Sequence, residues 1–166
     1  MFQKICLTFF LLFIVSCNNL DYVYNENKSY NNPIYNESEI NLGGLEIPSF
    51  YSQVVRHIGL NEEGQYQLII SIDEEKIKRS VEKNQAISKL DYVLRFKYEL
   101  LNKSKKCFVF EKNIISRFTF EPKASGYNFG SDHSLNDFYR TAGNNNLQEF
   151  IGFVSNIDLT TCIDEA

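Results

Sequence analysis

Residues 90–100, LDYVLRFKYEL, decide the fold. Leu90, Tyr92, Leu94, Phe96, Tyr98 and Leu100 alternate with Asp91, Val93, Arg95, Lys97 and Glu99. A period of two sends the first set to one face of a β-strand and the second to the other. Upstream, Tyr66, Leu68, Ile70 and Ile72 alternate with Gln67, Ile69, Ser71 and Asp73. Downstream, Phe108, Phe110, Ile114, Phe118 and Phe120 share a face interrupted by Lys112 and Ser116. Asn102-Lys103-Ser104-Lys105-Lys106 reads as a polar hairpin turn between the last two strands. The run around residues 81–88 extends the strands or forms a long hairpin arm.

Helical spacing flanks this strand group. Pro48 and Ser49 read as a helix start, Phe50, Val54, Val55 and Ile58 as its apolar face, and Gly59 as its stop, over residues 49–58. Before it, Leu45 and Ile47 alternate with Glu46, which predicts a short edge strand within 42–48. After Pro122, Asp132 is a candidate N-cap for a last helix. Leu135, Phe138, Tyr139, Ala142, Leu147, Phe150, Ile151, Val154 and Ile157 trace its apolar face. Gly143 and the neighbouring Asn residues weaken its middle and predict a kink or break. The order β-α-β-β-β-α, with one apolar sheet face and two one-sided helices, predicts an α+β two-layer sandwich. In it, two helices pack on one face of a four-stranded, mostly antiparallel sheet. About 120 residues support such a core. The expected single domain runs over 42–160, with 161–166 as a C-terminal tail.

The first segment, MFQKICLTFFLLFIVSC, predicts the compartment. Ile5 to Val15 is an apolar run interrupted only by Thr8, preceded by Lys4. About 20 apolar residues are needed to span a bilayer as a helix, so the run has signal-peptide length instead. Ile14-Val15-Ser16-Cys17 resembles a bacterial lipobox, which makes 1–16 a lipoprotein signal and Cys17 the lipidated residue. Each buried CH₂ contributes roughly 0.8 kcal/mol, so two or three acyl chains hold a soluble domain on a membrane. Residue 18 is Asn rather than Asp, which leans towards the outer membrane. Residues 18–41 contain eight Asn and four Tyr with almost no aliphatic periodicity. Such a segment buries too little apolar surface to offset its ordering entropy. Residues 17–41 are therefore expected to be a flexible tether. Cys107 and Cys162 are the cysteines left in the domain. The compartment permits a disulfide, but two residues 55 positions apart do not establish one, and two free thiols are the simpler expectation.

The chain has 166 residues, 43% apolar and 23% charged, values of a globular protein rather than a disordered one. A net charge of −4 disfavours a wholly basic nucleic-acid binder. The charge is nonetheless uneven. Between Lys76 and Lys112 eleven basic residues face four acids, a local excess of seven. Lys76, Lys78, Arg79, Arg95 and Lys97 are the candidate contacts of a cationic sheet face for phosphate groups or a polyanionic partner. The competing expectation is that strand lysines only blunt an edge. His57 and His133 have no ligand-spaced companions, so no metal site is expected. Asp132-His133-Ser134 are adjacent, whereas catalytic triads converge from separate elements. With no nucleophile elbow and no phosphate-cradling glycine loop, neither enzyme activity nor a cofactor is expected.

The chain resembles LptE-type lipopolysaccharide-assembly lipoproteins, especially the alphaproteobacterial form. The resemblance rests on the lipobox Cys17 and on FYSQVVRHIGL at 50–60, YQLIISI at 66–72, LDYVLRFKYELLN at 90–102 and CFVFEKNIISRFTF at 107–120. It ends with SGYNFGSDHSLNDFYRTA at 125–142 entering a long helix. Departures are the inserted Gly126 in the turn, the Asn18-Asn19-Leu20-Asp21-Tyr22 start and the Asn-rich last helix. The resemblance implies an outer-membrane lipoprotein on the periplasmic side. There it would plug the lumen of a large LptD-like β-barrel and bind lipopolysaccharide through basic residues. Two other readings compete: a free-standing periplasmic lipid-binding module and a surface structural lipoprotein.

Overall fold

The computed structural model describes residues 32–81, 87–121 and 129–163. The signal segment, Cys17 and most of the tether lie outside them. Four strands and two helices follow in the order β1 (Ser38–Gly44), α1 (Phe50–Ile58), β2 (Tyr66–Val81), β3 (Ile87–Asn102), β4 (Cys107–Phe120) and α2 (Phe129–Val154). The sheet order is β1-β2-β3-β4. β1 is parallel to β2, and the β2–β3 and β3–β4 pairs are antiparallel. This is the expected α+β sandwich.

β2 and β3 are each 16 residues long. At about 3.3 Å per residue this gives a hairpin of roughly 50 Å. The even-numbered residues of β3 and β2 face the helices. Leu68, Ile70, Ile72, Leu94, Phe96, Tyr98 and Leu100 are buried there with Phe50, Val54 and Ile58 of α1 and Leu147, Phe150, Ile151 and Val154 of α2. Tyr98 stacks on Phe150 with ring centroids 4.2 Å apart, and Phe110 meets the same ring edge-on at 5.7 Å.

The first strand lies earlier than expected. It is 38–44, and Leu45 and Ile47 belong to the turn that follows it. Gly44 ends the strand at φ 86°, and a Cβ there would fall 2.1 Å from the Ile72 carbonyl oxygen. Leu45 N then donates to that same oxygen at 2.8 Å. The ordered body accordingly starts before residue 42. Ile34 is fully buried, Tyr66 N donates to Glu37 O at 2.9 Å, and Asn36 N donates to Ile58 O at 2.8 Å. Asparagines that suggest a tether instead build turns. Asn32 Oδ1 accepts from Ile34 N, and its Nδ2 donates to His57 O.

α2 runs unbroken through Gly143. A Cβ at this position would meet Phe50 Cδ2 at 3.0 Å, so glycine lets α2 approach α1 closely. Its helical backbone also begins before the expected Asp132 cap, whose side chain lies outside the described residues. Asn146 does not weaken the helix either. It is 1% exposed, accepts from Tyr98 Oη at 2.9 Å and donates to Ser116 Oγ at 2.9 Å. The pairing of β4 with β3 shifts register between Leu100 and Leu101 of β3, which leaves Val109 of β4 as the extra residue. It sets Phe108 opposite Leu101 and takes it off the row of Phe110.

The thiols are not free. Cys107, the first residue of β4, forms a disulfide with Cys162. The chain after α2 folds back to make this possible. Leu159 is buried, Lys105 Nζ donates to Thr160 O, and Ile163 N donates to Phe108 O at 2.8 Å. The expected tail thus begins as part of the body at 161–163, and 164–166 lie outside the described residues.

Candidate interaction surface

The five candidate basic residues do not share one face. Lys76 lies opposite Tyr92 and Lys78 opposite Leu90, on the helix side of the sheet. Arg95 and Lys97 lie on the helix-free side. A register shift between Lys78 and Ser80 leaves Arg79 as an extra residue, and its side chain reaches Asp91 on the helix-free side. Linear counting across β2 and β3 therefore merges two faces into one apparent basic stretch.

The helix-free face is charge-matched rather than cationic. Arg95 pairs with Glu75, Lys89 with Glu121 at 2.7 Å, and Arg79 with Asp91. Lys97 bridges Glu99 at 2.8 Å and Glu111 at 3.2 Å, two carboxylates that lie directly opposite each other. Its hydrogen bonds to both glutamates, first Glu99, hold the Lys97 ammonium above its ordinary range. Asp91 is held below the carboxylate range by the Thr119 hydroxyl and by Arg79. Exposed pairs of this kind contribute little stability, because water and salt screen them. Their larger effect is to fix the orientation of long side chains over the sheet.

Val93 shows what those side chains cover. It is on the helix-free side, yet it is only 6% exposed. Its row reads Glu75, Val93, Arg117 across the three strands, with Ile77-Asp91-Thr119 on one side and Asp73-Arg95-Ile115 on the other. Ile77 and Ile115 stay 44% and 46% exposed. Because Glu75 pairs diagonally with Arg95, Arg117 has no carboxylate partner among the described residues. Ile77, Arg79, Asp91, Val93, Arg117 and Thr119 line a cavity of 260 Å³. Arg117 was not among the residues expected to matter. The signal was available in the odd-numbered run Ile115-Arg117-Thr119, which takes the same side as Arg95 once β3 and β4 are paired.

The helix side of the same hairpin end is aromatic. Tyr92 stacks on Phe118 at 4.9 Å, and Phe118 stacks on Phe138 at 5.5 Å. Tyr139 meets both Tyr92 and Phe118 edge-on, and its hydroxyl donates to Glu74. Burial and this carboxylate push the Tyr139 phenol far up. Lys76 pairs with Glu74 at 2.8 Å and sits 5.5 Å from the Tyr92 ring. Lys76 is thus a structural partner of the cluster, while Lys78 is exposed without a described partner. A second, larger groove of 590 Å³ lies at the end of β1, lined by Leu42, Leu45, Ile47, Phe50 and Tyr51.

Among the described residues no group of three or more His, Cys, Asp or Glu is placed to hold a metal. His57 faces Gln148, its Nε2 3.2 Å from the amide nitrogen. The side chains of Asp132 and His133 lie outside the described residues. No described helix is long and apolar enough to cross a membrane.

No family model matches the chain, and no curated protein matches it. Solved structures do. A Caulobacter crescentus CB15 protein named as a lipoprotein aligns with a TM-score of 0.51 at 13% identity, over 70% of this chain and 87% of that one. Rare lipoprotein B from Shewanella oneidensis aligns with a TM-score of 0.49 at 10% identity, over 71% and 97%. A minor lipoprotein from Acinetobacter baumannii aligns with 0.49 at 7%, over 74% and 93%. The two-layer sandwich described above is therefore similar in fold to a bacterial lipoprotein of known structure.

Proposed function

We propose that this chain is an outer-membrane lipoprotein of the LptE type, anchored through Cys17 on the periplasmic side. In this reading it plugs a large LptD-like β-barrel and assembles with it during insertion of lipopolysaccharide. The observation that carries the reading is the helix-free sheet face. A three-strand surface with oriented charges and exposed Ile77 and Ile115 carries no second layer among the described residues. Such a face suits a protein wall better than bulk solvent. The lipobox and the lipoprotein-like fold support the location. Tagging the chain, solubilising the outer membrane and purifying the complex should recover a large β-barrel in stoichiometric amount. Recovery of the monomer alone sinks the reading.

Direct contact with lipopolysaccharide is the less supported part. A phosphate approaching Arg95 or Lys97 has to displace Glu75, Glu99 or Glu111. Changing Arg95 and Lys97 to Ala tests it. Binding to phosphorylated glycolipid should weaken, and more so at low than at high ionic strength. Unchanged binding and no salt effect remove these two residues from the contact.

A further inference from the structure

The cavity beside Val93 contains two guanidinium groups with unused donors. Arg79 reaches Asp91 through Nε, and its two Nη groups have no acceptor among the described residues. Asp91 is saturated differently, taking Arg79 on Oδ2 and the Thr119 hydroxyl on Oδ1 at 2.8 Å. Arg117 has no acceptor among the described residues, so its whole planar fork faces solvent. Arginine forks of this kind bind carboxylates or phosphates in bidentate fashion. Val93 and Ile77 supply apolar lining beside these charges, and Ile115 stands on the next row.

We propose that this patch receives an acidic side chain, flanked by apolar residues, from a partner polypeptide. The inference rests on the reading of the helix-free face as a protein interface and names the chemistry of the partner at one point. The local charge selects a carboxylate. Arg79 and Arg117 against Asp91 leave one net positive charge, which matches a monoanion better than a phosphate dianion. The branched aliphatic neighbours select a polypeptide, since Ile77 and Ile115 offer contact area beside the anchor. Buried at an interface, the Arg117 fork would lose water, and a carboxylate restores its hydrogen bonds.

The test uses the full isotope-labelled chain in detergent and three probes: acetyl-Leu-Glu-Leu-amide, the same peptide with Gln for Glu, and inorganic phosphate. Nitrogen–proton resonances of Arg79 and Arg117 and methyl resonances of Ile77 and Ile115 report occupancy. The Glu peptide should shift all four and bind about tenfold more tightly than the Gln peptide. Arg117→Gln should reduce the Glu peptide to the level of the Gln peptide with a nearly unchanged denaturation midpoint, since the Arg117 side chain makes no hydrogen bond or ion pair among the described residues. Arg117→Lys should give intermediate binding, because charge is kept and the fork is lost. Equal binding of the two peptides overturns the proposal, as does a complete lack of shifts. Stronger shifts with phosphate than with the Glu peptide overturn it too and assign the site to phosphate esters. If the β-barrel still co-purifies while the peptides fail, only this local assignment falls.

Discussion

The two halves of the long hairpin obey different rules. In the half next to the turn at 102–106, both helices cover one sheet face, and the row Leu68-Leu100-Phe110 is followed by Ile70-Tyr98-Lys112 and then Ile72-Phe96-Ile114. In the half towards residues 81 and 87, the helix-side row changes to Glu74-Leu94-Ser116, then Lys76-Tyr92-Phe118. On β2, Glu74, Lys76 and Lys78 take the positions that Leu68, Ile70 and Ile72 hold in the near half, where α1 packs. The lesson is a division of labour. The near half supplies stability by burial, and the far half presents oriented side chains on both faces.

The sharpest way to break this contrast is to hollow each half in turn. Phe150→Ala in the near half removes a ring packed on Tyr98 and Phe110, and should cost about 3–5 kcal/mol in denaturant unfolding. Asp91→Asn in the far half should leave the midpoint nearly unchanged at neutral pH, as its pair is exposed. Comparable losses at both sites would mean that the halves are one cooperative core. Next in size is the disulfide. It closes a long loop containing all of β4 and α2, so Cys162→Ser should destabilise by about 2–4 kcal/mol. Its reach is local to the near half. Hydrogen exchange should quicken at Ile163 and around Phe108 while the amides of Tyr92 and Phe118 stay protected.

How much of this was legible in the sequence follows from the physics of each element. The period-two pattern of 90–100 is strong because one face is buried along its whole length, so β3 and the α+β class were readable. β1 was not, because a short strand with a single deeply buried aliphatic residue, Ile40, has no period to detect, and Leu45 and Ile47 imitate one. Gly143 was misleading because its missing side chain reports a helix–helix approach rather than a break, and only the partner Phe50 shows which. The basic stretch was legible as composition and not as a surface. Cross-strand register decides which charges meet, and alternation sends Lys76 and Lys78 to one face and Arg79, Arg95 and Lys97 to the other. The disulfide depended on the return of residues 155–163, a segment without regular structure.

A smaller effect tests the far half from its helix side. Tyr139→Phe removes the hydroxyl that donates to Glu74 and keeps the ring on Tyr92 and Phe118. Glu74 retains Lys76, so the expected loss is about 1 kcal/mol. Tyr139→Ala should cost clearly more, since the edge-on aromatic contacts go as well. If the two variants are equal, the hydrogen bond rather than the ring packing anchors α2 on this half.

The smallest effect separates the halves by pH. Burial, and then the neighbouring Arg56 charge, lower the His57 pKa below its ordinary 6.5. A histidine of this kind favours the folded state when neutral. Its contribution is complete above about pH 6.5 and is lost as pH falls through the lower folded value. Asp91 in the far half is depressed as a carboxylate, so its contribution persists above about pH 4 and is lost only below that. Glu39, held down by Lys103, and Asp158, held down by its bonds from Thr160, titrate in that same acid window from the near half. Among the described residues the window between pH 6.5 and 5 therefore belongs to His57, at the contact between α1 and Gln148 of α2. His57→Gln should flatten the fall in denaturation midpoint across that window and leave the acid limb intact. Asp91→Asn should do the reverse. An unchanged slope between pH 6.5 and 5 in His57→Gln would show that protonation of this ring does not load the contact between the two helices.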